Sequence, residues 1–126
     1  MEEQLQEKAV LVGLNITTNV KKIDDIDINE SMAELKELVK AAGAEVLASV
    51  IQNKPARDAA YFIGKGKVEE IRDYCHMLGA TMIVFNDELS GAHMRNIEDV
   101  TGLKVIDRTA LILDIFAQRA LSKEGK

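Results

Sequence analysis

The chain has 126 residues, 47% of them apolar and 29% charged, and a net charge of −5. These values suit one globular domain with a proper core and argue against indiscriminate nucleic-acid binding through bulk charge. No apolar run approaches the ~20 residues of a membrane span, and the acidic start MEEQLQEKAV has no apolar signal stretch. The single cysteine, Cys75, excludes an internal disulfide and a cysteine-cluster zinc site, so a reducing, cytoplasmic setting is expected.

Residues 8–16, KAVLVGLNI, are too continuously apolar for a one-sided strand and predict a strand covered on both faces. A polar, loop-like stretch follows. Ser31 and Glu34 have capping-box spacing, and Met32, Leu35, Leu38, Val39 and Ala42 repeat at helical intervals up to Gly43. A second strand is read over 44–51, then a loop holding the only proline, Pro55. Tyr61-Phe62-Ile63 suggests a small extra strand before the Gly64-Lys65-Gly66-Lys67 turn. A helix from Lys67 carries Val68, Ile71, Cys75 and Leu78 on one face and stops at Gly79. Residues 81–85, TMIVF, form a buried strand. Leu89, Ser90 and Met94 then take hydrophobic-staple positions on a helix ending near Gly102. Residues 103–106 are a strand, and Asp107 caps a last helix starting near Arg108.

Strands alternating with crossover-length helices, with no hairpin dipeptide between them, predict an α/β domain. Its sheet is mainly parallel and four-stranded, with room for a fifth short strand, and is flanked by helices. On the last helix Leu111, Ile112, Leu113, Ile115, Phe116, Ala117, Ala120 and Leu121 cover more than half the circumference. One sheet needs an apolar arc of only ~100° or somewhat more. The surplus at Leu113, Phe116, Ala117 and Ala120 predicts a second partner, either another part of a longer protein or another copy of the chain, in which case dimers are expected. The ending SKEGK, without turn chemistry, fits a fragment of a longer protein.

Charge is uneven. Lys54, Arg57, Lys65 and Lys67 stand against Asp58 alone within residues 54–67, a basic island in an acidic chain. It is either a solvated loop or a surface facing anions or RNA. The spacing fails both phosphate-loop templates. No glycine stands five residues before Gly66, Val68 replaces the magnesium-binding hydroxyl, and Glu69 stands where a dinucleotide fingerprint has its third glycine. What remains is a turn whose backbone N–H groups at Gly64 and Gly66 can meet an anion at a helix start, with Lys65 and Lys67 as point charges. Asp87, Asp107 and Arg108 follow strands, where open α/β sheets place ligands, but a solvated strand-to-helix loop is the favoured reading at Asp87, and a helix cap beside a solvated or acid-paired arginine is the alternative at Asp107 and Arg108. No catalytic group or metal-ligand set can be assembled, with His76 and His93 far apart.

Three ordered motifs resemble those of HflX-type GTPases: YFIGKGKVEEI at 61–71, VFNDELS at 84–90 followed by Arg95-Asn96, and VIDRTALILDIFAQRA at 105–120 followed by EGK. His93 and Gly91 stand where that family often has glutamine and proline. The resemblance implies an N-terminal α/β domain that precedes a helical hairpin and a GTPase domain, in proteins that bind the large ribosomal subunit and its RNA and help split or rescue stalled ribosomes. It implies GTP and magnesium in the GTPase domain rather than in this chain, ATP as a ligand of the N-terminal region in some members, and no enzymatic activity for these residues alone. Lys54, Arg57, Lys65 and Lys67 are then expected to contact ribosomal RNA phosphate or to position the neighbouring GTPase domain; the alternatives are an ATP-binding domain that uses the Gly64-Lys65-Gly66-Lys67 turn with the loops around Asp87 and Asp107, and a purely architectural scaffold for the GTPase domain.

Overall fold

The computed structural model describes residues 6–17 and 27–124, with side chains up to residue 117. Among the described residues eight elements follow one another: β1 (Lys8–Ile16), α1 (Ile28–Ala41), β2 (Glu45–Lys54), α2 (Lys65–Leu78), β3 (Met82–Phe85), α3 (Gly91–Thr101), β4 (Lys104–Asp107) and α4 (Arg108–Glu124). The four strands form one sheet in the order β2-β1-β3-β4, and every pairing is parallel. The α/β class and the four-stranded sheet read from the alternation are therefore observed. Among the described residues a fifth strand is not. Tyr61-Phe62-Ile63 belongs to a turn, held by a single antiparallel bridge between Asp58 and Phe62.

β1 explains the layering. Its alternate side chains feed two cores. Val10, Val12 and Leu14 join Val68, Ile71 and Cys75 of α2 and Ile97 of α3 on one face. Ala9 and Leu11 join Met32, Leu35 and Val39 of α1 and Leu111 of α4 on the other. Each of the larger buried side chains contributes about 1.5–3 kcal/mol of transfer free energy, so a central strand apolar on both faces is worth more than an alternating one. At Gly13 an added Cβ would stand 2.6 Å from the Met32 sulfur, so glycine lets α1 lie close against the strand.

α1 begins earlier than the capping-box spacing indicated. Asp27 is the N-cap, its Oδ1 accepting from the Asn29 amide at 3.1 Å. Ser31 and Glu34 fall inside the helix, free for contacts with Asn86 and Arg108. α3 keeps its predicted start. Ser90 Oγ accepts from the His93 amide at 3.0 Å, and His93 Nδ1 accepts from the Ser90 amide at 3.3 Å. Histidine thus closes the reciprocal cap that glutamate or glutamine usually closes.

Candidate functional site

In a parallel sheet every strand's carboxyl end, and the start of every following helix, lies along one edge. The order β2-β1-β3-β4 adds a switch point at that edge, between β1 and β3, where the connections diverge and open a crevice. Lys54 at the end of β2, the 55–64 loop, Asp87 after β3 and Asp107-Arg108 at the β4–α4 junction all belong to this edge.

The 55–64 loop is tightly built. Asp58 Oδ2 accepts from the amides of Ala60 (3.0 Å) and Tyr61 (2.7 Å), and Asp58 and Phe62 exchange backbone hydrogen bonds of 2.8 and 3.0 Å. Asn96 of α3 donates to the Ala60 carbonyl at 2.9 Å. Within this frame Phe62 takes φ 66°, the one non-glycine residue with positive φ among those described, a strained state of order 1–3 kcal/mol. Its buried ring meets Phe85 and His93 edge-on, with centroids 6.1 and 5.5 Å away. The Arg57 guanidinium lies over it at 5.8 Å. Sequence reasoning passed over Asp58, Phe62 and Asn96. The Asp-x-Ala spacing of an Asx turn was the available signal for Asp58; nothing local announces the strain at Phe62.

Gly64 is the N-cap of α2, with φ 92° and no side-chain cap. The helix therefore presents the amides of Lys65, Gly66 and Lys67 without a capping side chain, at the positive end of its dipole. The Lys54 amine lies beside them, 3.7 Å from where a Cβ on Gly64 would be. Lys65 is exposed. Lys67 points elsewhere: its amine pairs with Glu70 at 2.9 Å, and it lines a small groove with Val50, Ile71 and Tyr74. Of the six residues grouped from the sequence, the Lys54 amine comes to Gly64 at the start of α2, Lys65 and Gly66 lie in that first turn, Arg57 lies over Phe62 at the neighbouring loop, and the Lys67 amine pairs with Glu70.

Asp87 sits at the switch point. Its Oδ2 accepts from the Leu14 amide of β1 at 3.2 Å, and with Arg57, Phe62, Glu88, Leu89 and Ser90 it lines a cleft of about 420 Å³. Burial pushes its carboxyl up from the ordinary value, against the opposing pull of the Leu14 amide and the Arg57 charge. Asp107 is different. It is buried, and both oxygens are used: Oδ2 accepts from Leu89 N and Oδ1 from Ala110 N, each at 2.9 Å. It caps α4 as expected and also pins the β3–α3 loop, so each oxygen has a structural partner. Arg108 donates to Asn86 Oδ1 (2.8 Å), to Glu34 Oε1 (2.9 Å) and, more weakly, to the Ser31 hydroxyl and carbonyl (3.4 Å each). It joins α1, the β3–α3 loop and α4 rather than facing the cleft.

On α4, Leu113 and Phe116 are 61% and 62% exposed and Ala117 is exposed too; the side chain of Ala120 lies outside the described residues. Leu111 is buried and Ile115 packs partly against the same core. The surplus apolar face read from the sequence is thus bare as far as residue 117. Among the described residues no cluster of metal-ligating side chains occurs, and no helix is long and apolar enough to cross a membrane.

A family model described as GTP-binding GTPase N-terminal matches residues 29–117. Relatives named GTPase HflX include one from Caldanaerobacter subterraneus subsp. tengcongensis, 44% identical over 95% of this chain, and one from Lacrimispora saccharolytica, 45% identical over 98%. Another, from Escherichia coli, is 42% identical over 95%. The chain spans about a quarter of the length of these relatives, 26–28%. Among solved structures, a GTP-binding protein of Sulfolobus solfataricus in complex with GDP superposes with a TM-score of 0.62 at 20% identity, covering 89% of this chain and 30% of its own, which is a likeness of fold. With a family match across most of its length and relatives above 40% identity over 95–98% of its residues, the chain belongs to the HflX GTPase family, in that family's N-terminal domain.

Proposed function

We propose that this domain engages ribosomal RNA and thereby regulates a GTPase that acts on the large ribosomal subunit, in splitting ribosomes or rescuing stalled ones. In this reading the 126 residues are one α/β domain of a longer protein that continues into a helical hairpin and a GTPase domain. GTP and magnesium bind in that GTPase domain, outside this chain, and the domain itself is not catalytic. The observation that carries the reading is the Lys54 amine beside the uncapped start of α2, with Lys65 in that first turn and Arg57 in the loop leading to it, in a chain whose net charge is −5. An acidic protein gains nothing from bulk attraction to RNA. A local cationic edge backed by a helix N-terminus is what phosphate contact requires.

The bare face of α4 has a separate role. In the full-length protein the remaining chain covers Leu113, Phe116 and Ala117. In the isolated domain two copies bury these residues against each other.

The test uses the full-length protein and purified large subunits. Replacing Lys54 and Lys65 by alanine is expected to weaken binding and to make the slope of log K against log salt shallower by about two, near one unit for each phosphate no longer neutralised. Lys67→Ala, whose amine is already paired, should change both much less. Binding and salt slope unaltered by the double substitution would count decisively against the basic edge.

A further inference from the structure

Beside the phosphate-facing edge lies a cleft that phosphate itself has reason to avoid. Two of its lining residues are carboxylates, Asp87 and Glu88, against one cation, Arg57. The cleft nonetheless carries the marks of a built site. It stands at the β1/β3 switch point, its wall includes the strained Phe62, and its loop is fixed from three directions by Leu14, Asp107 and Arg108.

Arg57 is exposed, yet its guanidinium is held over the Phe62 ring rather than left to wave in solvent. Arg57 also lines the cleft, so its guanidinium is within reach of a ligand there. A guanidinium fixed in this way is a stacking platform for a second planar group. Asp87 gives one oxygen to the Leu14 amide; the other is left to accept from a donor entering the cleft. A planar ring that stacks on Arg57 and donates an amino hydrogen to Asp87 answers both features. The Lys54 amine stands at Gly64, where the loop carrying Arg57 and Phe62 enters α2, and Lys65 follows in that first turn, a cationic stretch for the phosphate of a nucleotide whose base lies in the cleft.

We infer that the cleft formed by Arg57, Asp87, Glu88 and Ser90 takes an unstacked nucleobase bearing an exocyclic amino group, carried on a single RNA strand whose phosphate lies on Lys54, Lys65 and the α2 N-terminus. This rests on the RNA-facing reading of the same edge and adds to it a base preference that phosphate contacts alone cannot supply. Cytosine and uracil separate the two contributions, because they stack alike and differ in whether position 4 carries a donor or an acceptor.

The experiment is fluorescence anisotropy of the 126-residue chain with short oligo-C and oligo-U RNAs across a salt series. Wild type is expected to bind oligo-C roughly tenfold more tightly than oligo-U, the scale of one good base-edge contact. Asp87→Asn, nearly isosteric and still able to accept from Leu14, should erase or reverse that preference. Arg57→Lys keeps the charge and loses the plane, so it should weaken both RNAs roughly tenfold with the salt slope unchanged. Lys65→Ala should weaken both RNAs equally and flatten the slope. Circular dichroism of each variant checks that it folds.

Equal binding of the two RNAs, unaffected by Asp87→Asn, would overturn the base cleft and leave the phosphate edge standing. No binding of either RNA would overturn both. Cytidine monophosphate is expected to displace oligo-C only at concentrations far above those at which the oligomer binds, because it lacks the neighbouring phosphates of a strand; if it binds as tightly as the oligomer, the cleft belongs to free nucleotides and the strand-borne assignment falls.

Discussion

Single residues on this domain are legible in type more readily than in task. Asp107 and Arg108 stand out in the sequence as polar groups after a strand, but the structure spends them on joining elements. Asp107 serves two amides in different elements, and no local pattern reveals the second, 18 positions upstream at Leu89. Cys75 is the opposite case. Its place on the apolar face of a helix points to packing rather than chemistry, and it is fully buried in the α2 core. Burial pushes its thiol up from 9.0 to about 11. In the unfolded chain the thiol ionises near its ordinary value, while in the folded chain it stays neutral until about 11. Between those values the folded state holds more protons, so stability falls as pH rises through the window, by up to about 2–3 kcal/mol, and is unaffected below it. Cys75→Ala removes this pH-dependent penalty and costs a small cavity, about 1 kcal/mol. Denaturant titrations under reductant should therefore find the variant less stable than wild type at pH 8 and more stable near pH 10.5. A difference that stays constant across that range would show that the thiol ionises freely in the folded protein.

At the scale of elements, periodicity worked where one face is buried and failed where tertiary contacts redirect a local signal. The helices with clean stripes, α2 and α3, end at Gly79 and Gly102 as read. The start of α1 moved because Asp27 precedes Ser31 with an equally good capping oxygen. The Ser31 hydroxyl is meanwhile drawn to Asn86 across the sheet edge, a contact 55 positions away that spacing cannot show. Tyr61-Phe62-Ile63 looked like a strand because it is apolar, and it is buried for a different reason: the Asp58 turn folds it into the α2–α3 core. The excess apolar face of α4 was legible and is present. Leu113 and Phe116 are mostly exposed on a helix whose other side, at Leu111, is already packed. Leaving two large side chains in water forgoes about 1.5–3 kcal/mol each, enough to drive weak pairing of the isolated domain. Sedimentation velocity should show a concentration-dependent monomer–dimer equilibrium. Leu113→Glu with Phe116→Glu should abolish it and leave the helical circular dichroism unchanged, since neither side chain supports the core. A wild-type chain that stays monomeric at millimolar concentration would remove α4 as a self-association face.

On the scale of the whole molecule, the carboxyl edge joins the cleft to the root of α4. The loop running Asn86-Asp87-Glu88-Leu89-Ser90 supplies cleft wall at Asp87, Glu88, Leu89 and Ser90, yet its Asn86 and Leu89 are held by Arg108 and Asp107. Whatever occupies the cleft thus shares a loop with the first turn of the helix that carries the bare apolar face. The strength of that joint is measurable. Arg108 is largely covered, its side chain 26% exposed, and its bond to Asn86 is short and charge-assisted. Its partner Glu34 is 63% exposed. A pair with one end in solvent contributes little, usually under about 1 kcal/mol, whereas a charged hydrogen bond away from solvent contributes about 1.5–3 kcal/mol. Arg108→Ala should therefore cost about 2 kcal/mol in urea denaturation, Asn86→Ala a similar amount and Glu34→Ala well under 1. Because Arg108 and Asn86 share one bond, the double substitution should cost less than the two singles together by at least about 0.5 kcal/mol, and the Arg108–Glu34 pair should come out close to additive. If Arg108 and Asn86 instead prove additive, the loop and the root of α4 are neighbours without being coupled, and occupancy of the cleft has no mechanical route to the helix through this bond.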